Sequence, residues 1–239
     1  MIELAAPDYR ALVEAIAAEL APALDCSLAA TIEATLLSAG ATAADIELLC
    51  DQAAAGGVAA VCVAPCHVAL AAERLRATPV LVVAAVGFPL GSATASAKRY
   101  EAAECVKLGA DELDVVINLG ALKSGDSAAV RLELAGVVEL AHAARARVKA
   151  ILELPLLTAA EQERAVQLAL DAGVDFLKTA TGTAGPATVA QVELLRRLAG
   201  GRARIKAAGG IRTPAQARAL IAAGADRLGT SQPQALLGN

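Results

Sequence analysis

The sequence feature that most constrains the fold is a regular alternation of apolar strand patterns with helix patterns. Eight such units follow one another across 239 residues, with no linker or low-complexity segment between them. The predicted strands are Leu28–Ile32, Val58–Val63, Pro79–Val86, Glu112–Asn118, Arg147–Glu153, Asp175–Thr179, Arg204–Ala208 and Asp226–Gly229. Eight consecutive units predict an α/β fold of one kind, the closed (β/α)₈ or TIM barrel.

An open doubly wound sheet is the alternative architecture, but its glycine-rich dinucleotide fingerprint is absent after the first predicted strand. Upstream of the barrel, Pro7 to Leu24 show an alanine-rich helical pattern. We therefore predict one barrel domain over residues 1–239, preceded within it by an N-terminal helical extension over residues 1–26.

Composition excludes several classes of function. The formal net charge is −4 and aromatic residues make up only 2% of the chain, so we expect no nucleic-acid surface. No apolar run approaches the length of a membrane span, and the N terminus lacks the cationic and apolar regions of a signal peptide. We expect a cytoplasmic protein that binds neither nucleic acid nor membranes.

Five cysteines, an odd number, are the pattern of reduced thiols rather than of a disulfide framework. Cys62, Cys66 and His67 are close in sequence, but their spacing matches no zinc pattern. The sequence predicts no metal and no other cofactor.

Lys178 lies near the end of the sixth predicted strand, directly after the apolar pair Phe176-Leu177. Lysine is rarely buried, and desolvation lowers the pKa of a buried amine and makes it nucleophilic. Such a lysine is a candidate for forming a Schiff base with a carbonyl substrate. The alternative is a lysine whose stem packs at the barrel mouth while its amine reaches water and has no role.

Alternation along the strands places three charged residues inside the barrel. Asp114, Lys178 and Lys206 each occupy an inward position on strands four, six and seven. Two ammonium groups about 6 Å apart repel by roughly 3 kcal/mol at an effective dielectric near 20, or about two pKa units. Lys206 therefore favours a neutral Lys178, and Asp114 is placed to relay protons. The alternative is a buried ion pair that only fills the lumen.

Glycine-rich turns follow the last two strands. Gly209-Gly210 comes after strand seven, and Gly229 to Ser231 come after strand eight. In barrels these two loops commonly bind phosphate through backbone N–H groups, and Arg212 offers a charged contact nearby. Each turn alone is equally compatible with an ordinary tight connection.

Five sequence blocks resemble one family, the deoxyribose-phosphate aldolases. They are Val61–Cys66, Val86–Gly91, Gly109–Asn118, Lys178–Gly182 and Ile205–Thr213. The resemblance runs in order from about Ile32 to Ser231. It implies a metal-independent class I aldolase on a (β/α)₈ barrel. The implied substrates are small aldehydes and sugar phosphates: acetaldehyde and glyceraldehyde 3-phosphate join reversibly to give 2-deoxyribose 5-phosphate.

The resemblance also implies a role for individual residues. The Schiff-base lysine of the family falls on Lys178, the proton-relay carboxylate on Asp114 and the second lysine on Lys206. Cys62 and Asn118 lie near the site, with the cysteine not acting as nucleophile. Substrate and phosphate contacts fall on a group of loop residues: Thr181, Gly182, Gly209, Gly210, Gly229 and Ser231.

Four positions depart from the family pattern. Many members carry Asp-His-Thr on the first strand, where residues 33–35 of this chain read Glu-Ala-Thr. We therefore place Glu33 near the site, and the sequence leaves open whether its side chain reaches the reacting groups. The position of Thr183 is often aromatic or basic, and the usual Ser-Ser after strand eight has Gln232 as its second residue. These missing donors predict weaker discrimination in favour of phosphorylated acceptors.

Two other functions stay open at this point. One is a related class I aldolase with relaxed preference for a non-phosphorylated acceptor aldehyde. The other is a non-catalytic sugar-phosphate binder, for which loss of Lys178 or Asp114 is expected, and neither residue is lost. The sequence leaves the oligomeric state undetermined, with a homodimer as one candidate assembly.

Overall fold

Eight parallel strands close into a barrel in which each strand pairs with its sequence neighbours and β1 pairs with β8. The fold is taken from a computed structural model, which describes residues 28–237. The strands are β1 Ile32–Leu36, β2 Ala60–Val63, β3 Leu81–Val86, β4 Glu112–Val116, β5 Arg147–Ile151, β6 Phe176–Lys178, β7 Arg204–Ala208 and β8 Arg227–Thr230. The predicted (β/α)₈ barrel is confirmed.

Helices on the outside of the barrel connect successive strands. They are α1 Ala43–Gly56, α2 Val68–Leu75, α3 Ala95–Lys107, α4 Leu119–Lys123, α5 Ser127–Ala143, α6 Ala159–Asp171, α7 Val189–Ala199, α8 Pro214–Ala222 and α9 Pro233–Leu237. None of these described helices is long and apolar enough to cross a membrane. The predicted helix at Pro7 to Leu24 and the extension over residues 1–26 lie outside the described residues, and the single domain over 1–239 stays a prediction.

Local sequence signals start several of these helices as expected. Thr42 and Thr158 each begin a helix with a reciprocal capping box, accepting from the backbone N–H of Asp45 and Glu161 respectively. Thr213 accepts from the N–H of Gln216 at the start of α8, with a proline in the first helical position. Threonine N-caps therefore determine where these helices begin after the preceding strands.

The first strand is the largest boundary error of the sequence analysis. It was predicted at Leu28–Ile32, whereas the strand runs from Ile32 to Leu36. Leu28 begins a helical turn that closes when the Thr31 hydroxyl and N–H both donate to the Leu28 carbonyl, at 2.7 and 3.0 Å. The correction matters because it moves Glu33 into the strand.

The structure also adds a helix that was not predicted. Strand β4 was expected to reach Asn118 but ends at Val116, and α4 begins at Leu119. The Asn118 side-chain carbonyl accepts from the N–H of Ala121 at 3.0 Å, which caps that helix. Strand β5 was expected to reach Glu153 and likewise ends two residues early, at Ile151.

The two faces of each strand meet different surroundings. Leu113, Val115 and Ile117 belong to the core between sheet and helices, as their alternation predicts. Inside the barrel, β2 and β3 contribute a separate apolar cluster that includes Cys62 and Val83. Glu112 and Asp114, on the neighbouring strand β4, are fully buried in the lumen, so charged side chains share the lumen with that cluster.

A buried ion pair outside the lumen supports the end of β4. The Lys98 ammonium on α3 donates to the Val116 carbonyl and to Glu133 on α5, both at 2.7 Å. Burial lowers the pKa of Lys98, although Glu133 partly opposes the shift; burial also raises the pKa of Glu133. A charged pair in this place is stable only while both partners are present.

Lys98→Met removes the ammonium and leaves the Glu133 carboxyl buried without its partner. We expect the free energy of unfolding, measured by urea denaturation, to fall by about 3 kcal/mol, the low end of the range for broken buried pairs, because the raised pKa of Glu133 eases protonation. The double variant Lys98→Met with Glu133→Leu is expected to recover most of the loss. Equal losses in the single and double variants would contradict the ion-pair explanation.

Candidate active site

The structure brings together the three charged residues that the strand alternation placed in the lumen. The ammonium groups of Lys178 and Lys206 each donate to the same oxygen of Asp114, Oδ2, at 2.6 Å. The two nitrogens are therefore no more than about 5 Å apart. This geometry follows from β6 and β7 pairing in register, with Lys178 opposite Lys206.

Glu33 reaches this cluster from β1. Its carboxylate is fully buried, and Oε2 accepts a hydrogen bond from Lys206. Barrel closure explains the contact, because β8 lies between β1 and β7 and presents only a glycine opposite Glu33. A side chain at Gly229 would approach the Lys206 Cε atom to 3.2 Å, so the absence of one leaves room for the lysine stem.

A third lysine, Lys149, was missed by the sequence analysis. It lies fully buried on β5 with its ammonium 3.1 Å from Asp114 Oδ1 and 3.6 Å from Glu33 Oε1. It also forms an ion pair with Glu112, which in turn pairs with Arg147. The signal was available, since residues 147, 149 and 151 alternate inward on β5 just as those of β4 do.

The lumen is thus an alternating network of acids and amines rather than a pair of repelling amines. Burial raises the pKa of Asp114, but attraction to Lys149, Lys178 and Lys206 outweighs it and holds that pKa well below its ordinary value. Burial lowers the pKa of Lys206, but Asp114 and Glu33 outweigh it and raise the pKa above its usual range. The prediction that Lys206 keeps Lys178 uncharged stays a prediction.

A cavity of about 280 Å³ opens above the network at the carboxyl ends of the strands. Its wall contains Lys178, Arg212 and Thr183. It also contains every residue predicted to contact substrate or phosphate: Thr181, Gly182, Gly209, Gly210, Gly229 and Ser231. Their roles stay predictions, but their convergence on one cavity is a finding.

Two glycines let the loops after β6 and β7 approach each other. Gly182 and Gly209 have φ angles of 97° and 116°, a region that favours glycine. A Cβ atom on Gly209 would lie 2.8 Å from the Gly185 carbonyl oxygen and 3.2 Å from the Gly182 Cα. Only bare backbone fits there, so peptide groups rather than side chains form this part of the wall.

Further residues that the sequence did not single out hold these loops. The Thr179 hydroxyl donates to the Ala208 carbonyl at 3.1 Å and accepts from its N–H at 3.0 Å, joining β6 and β7 beside the cavity. Glu153, 2% exposed and with a φ of 52°, accepts from the N–H of Thr181 at 3.1 Å. A positive φ is an unfavourable backbone conformation for a residue other than glycine, and it persists only where the surrounding structure requires it. Here the conformation accompanies the hydrogen bond that holds the loop at Thr181.

Two residues predicted to lie near the site have distinct surroundings. Burial raises the pKa of the Cys62 thiol to about 11, and Asp114 adds to the rise, so the thiol stays protonated at neutral pH. That state agrees with a residue near the network that is not a nucleophile. Asn118, whose side chain caps α4, is not among the residues that form the cavity wall.

Accessibility distinguishes the three lumen lysines. Lys149 and Lys206 are fully buried and every ion pair described for them is within the network, whereas Lys178 is 3% exposed and forms part of the cavity wall. A carbonyl compound in the cavity therefore meets the Lys178 amine first. An amine beside a shared carboxylate is equipped for addition to a carbonyl and for proton transfer.

Comparison with known proteins agrees with this chemistry. The family model for DeoC/LacD family aldolases matches residues 24–231. A deoxyribose-phosphate aldolase from Thermosynechococcus vestitus is 53% identical over 86% of this chain and 93% of its own length. One from Thermococcus gammatolerans is 48% identical over 85% and 92%.

Solved structures give the same result. An aldolase called QR15 superposes with a TM-score of 0.84 at 39% identity, covering 88% of this chain and 94% of its own. The tetrameric deoxyribose phosphate aldolase of Aeropyrum pernix superposes with a TM-score of 0.84 at 35% identity, covering 90% and 91%. Given its barrel, its family match and the identity of these relatives, the chain belongs to the deoxyribose-phosphate aldolases of the DeoC/LacD family.

Proposed function

We propose that this protein is a class I aldolase that reversibly cleaves 2-deoxy-D-ribose 5-phosphate to acetaldehyde and D-glyceraldehyde 3-phosphate. The observation that carries the proposal is the position of Lys178, at the cavity wall and 2.6 Å from the Asp114 carboxylate. Family membership supports the substrate, and the site supports the Schiff-base route.

In the cleavage direction, the Lys178 nitrogen adds to the aldehyde carbon of the open-chain sugar, and loss of one water leaves a protonated imine. The hydroxyl on carbon 3 gives up its proton, the bond between carbons 2 and 3 breaks, and glyceraldehyde 3-phosphate leaves. The electron pair of that bond moves toward the imine nitrogen and forms an enamine. A proton added to carbon 2, followed by water, releases acetaldehyde and the free amine.

Asp114 is the proposed carrier of these protons. Its low pKa keeps the carboxylate ionised at neutral pH, ready to accept a proton from the amine or, through water, from the substrate hydroxyl. Lys206 contacts the same oxygen from outside the cavity, and its charge opposes a second charge on Lys178. The network of charges in the lumen thus gives each of the three residues a separate task.

The phosphate is proposed to bind where the loops after β6, β7 and β8 meet. Gly182, Gly209 and Gly210 line the cavity without side chains, and their backbone N–H groups are the proposed donors to the anion. Arg212 adds a positive charge on the same wall. The Gly229 to Ser231 segment completes the cradle from β8.

A related aldolase with relaxed acceptor preference is the second candidate. The observation that favours it is the hydroxyl of Thr183, which is hydrogen-bonded to the Thr181 hydroxyl at 2.8 Å, with either oxygen able to donate, and so is engaged within its own loop. Gln232 does not contribute to the cavity wall. The chemistry at Lys178 is the same in both candidates, and only the acceptor differs.

We propose that the chain assembles with copies of itself and works in the cytoplasm. The tetrameric state of the relative from Aeropyrum pernix supports self-assembly. The cysteines Cys50, Cys62, Cys66 and Cys105 are all free thiols, as is usual in a reducing compartment.

Acceptor preference is tested by comparing kcat/KM for D-glyceraldehyde 3-phosphate and for D-glyceraldehyde, each with acetaldehyde. A missing hydrogen bond to a charged group costs about 1.5–3 kcal/mol, so Gln232→Ser is expected to raise the phosphorylated-to-plain ratio about tenfold or more. Gln234→Ser, on the neighbouring helix, is the control. A strong phosphate preference in the unaltered protein, unchanged by Gln232→Ser, would contradict the weak-discrimination prediction.

The nucleophile is tested by reducing the protein with borohydride in the presence of acetaldehyde and mapping peptides by mass spectrometry. We expect an ethyl adduct on Lys178 alone, because Lys149 and Lys206 are fully buried. Lys178→Arg keeps the positive charge beside Asp114 but has no nucleophilic amine, and it should show no adduct. An adduct on another lysine refutes the assignment, and no adduct at all supports a non-catalytic binder.

The proton carrier is tested with Asp114→Asn, which keeps the shape of the side chain. Exchange of acetaldehyde methyl protons with deuterated water, followed by NMR, reports enamine formation without any acceptor. We expect exchange to slow by about 10²- to 10⁴-fold, the usual contribution of a positioned base. Borohydride trapping on Lys178 should persist. Exchange as fast as in the unaltered protein would remove Asp114 from the proposed route.

A further inference from the structure

Lys149 is a buried charge for which the proposed reaction has no use. It lies on β5 below the cavity, is fully buried, and takes no part in the cavity wall. Its ammonium contacts carboxylates from two strands, Glu33 on β1 and both Glu112 and Asp114 on β4. It also lies 5.5 Å from the centre of the Phe176 ring. These contacts are ion pairs without hydrogen-bond geometry, so the attraction of three surrounding carboxylates holds the ammonium in place.

The two oxygens of Asp114 have different partners. Oδ2 receives hydrogen bonds from Lys178 and Lys206, each at 2.6 Å. Oδ1 faces Lys149 at 3.1 Å. Because a carboxylate is planar, an ion pair on Oδ1 fixes how far the group can rotate and therefore where Oδ2 stands relative to the Lys178 amine.

We propose that Lys149 is a positioning residue for the aldol reaction, holding Asp114 by Oδ1 so that Oδ2 stays directed at Lys178. This inference rests on the proposed function, and it adds a residue that touches neither substrate nor nucleophile. Proton transfer depends steeply on donor–acceptor geometry, so loss of the Oδ1 contact affects proton movement more than imine formation.

The competing explanation is that Lys149 only neutralises Glu112. Glu112, however, already pairs with Arg147, whose guanidinium is on the same carboxylate. Glu112 has no described contact with Lys178 or Lys206. A lysine needed for Glu112 alone has no reason to sit 3.1 Å from Asp114. The two explanations therefore predict different results when Glu112 is removed together with Lys149.

Charged and titratable groups face Asp114 and Lys149 from nearly every strand of the lumen. Strand β3 supplies only apolar residues there, and the groups on the other strands are Glu33, Cys62, Glu112, Arg147, Lys178, Lys206 and Arg227. Lys149 is a leading cause of the low pKa of Asp114, opposing the effect of burial. Removing the charge of Lys149 therefore raises the pKa of Asp114.

The test compares three variants of the full-length protein: Lys149→Met, Glu112→Gln and the double variant. Each is assayed for deuterium exchange of acetaldehyde methyl protons and for borohydride trapping on Lys178. We expect Lys149→Met to slow exchange at least tenfold more than trapping. The acid limb of the exchange rate should move by about one pH unit to higher pH, because a group that must be deprotonated then has a higher pKa.

Glu112→Gln is expected to change both rates less than threefold, since it leaves every contact of Asp114 in place. The double variant should stay as slow in exchange as Lys149→Met, because Asp114 Oδ1 still lacks its partner. It removes one charge of each sign, so it carries the test alone if Lys149→Met does not fold, as judged by circular dichroism.

Three results would overturn the inference. They are full exchange in Lys149→Met, recovery of exchange in the double variant, and equal slowing of trapping and exchange in both. Failure of the proposed function gives a different outcome, because the unaltered protein would then show neither trapping nor exchange. The unaltered protein is therefore measured first in both assays.

Discussion

The Asp114 carboxylate, shared by three ammonium groups inside a closed barrel, is the interaction on which the rest of the structure depends. A charge buried at this depth is tolerated only when it is paired, and each partner here needs the others. Lys178 and Lys206 meet on Oδ2 while Lys149 meets Oδ1. Removing one member leaves the charge of its partner buried and unpaired, which is unfavourable, so the members stabilise one another.

Barrel closure is what makes such a network attainable. Its members come from β1, β4, β5, β6 and β7, which are separated by up to 173 positions in sequence, yet their inward residues converge on one layer. The strands can bring charge inward because their outer faces and the lumen wall at β2 and β3 remain apolar. The glycine at position 229 gives the space that the Lys206 stem requires.

Much of this was predictable from the sequence, and the failures have physical causes. Strand β7 was predicted at its observed bounds, and alternation placed Asp114, Lys178 and Lys206 in the lumen. The first strand was misplaced because Leu28 and Ile32 suit a buried turn as well as a strand. Alternation along β5 placed Lys149 inward and that signal was overlooked, but its pairing with Asp114 and Glu33 on other strands leaves no mark in a local pattern.

Which lysine acts as nucleophile is decided by access rather than by charge alone. All three amines share the Asp114 carboxylate, and Lys149 and Lys206 also pair with Glu33; the attraction of Asp114 and Glu33 raises the pKa of Lys206. What differs is that only Lys178, among the described lumen lysines, adjoins the cavity. We therefore propose that depth assigns the roles: the outermost amine, that of Lys178, meets substrate, and the two deeper ones hold the Asp114 carboxylate.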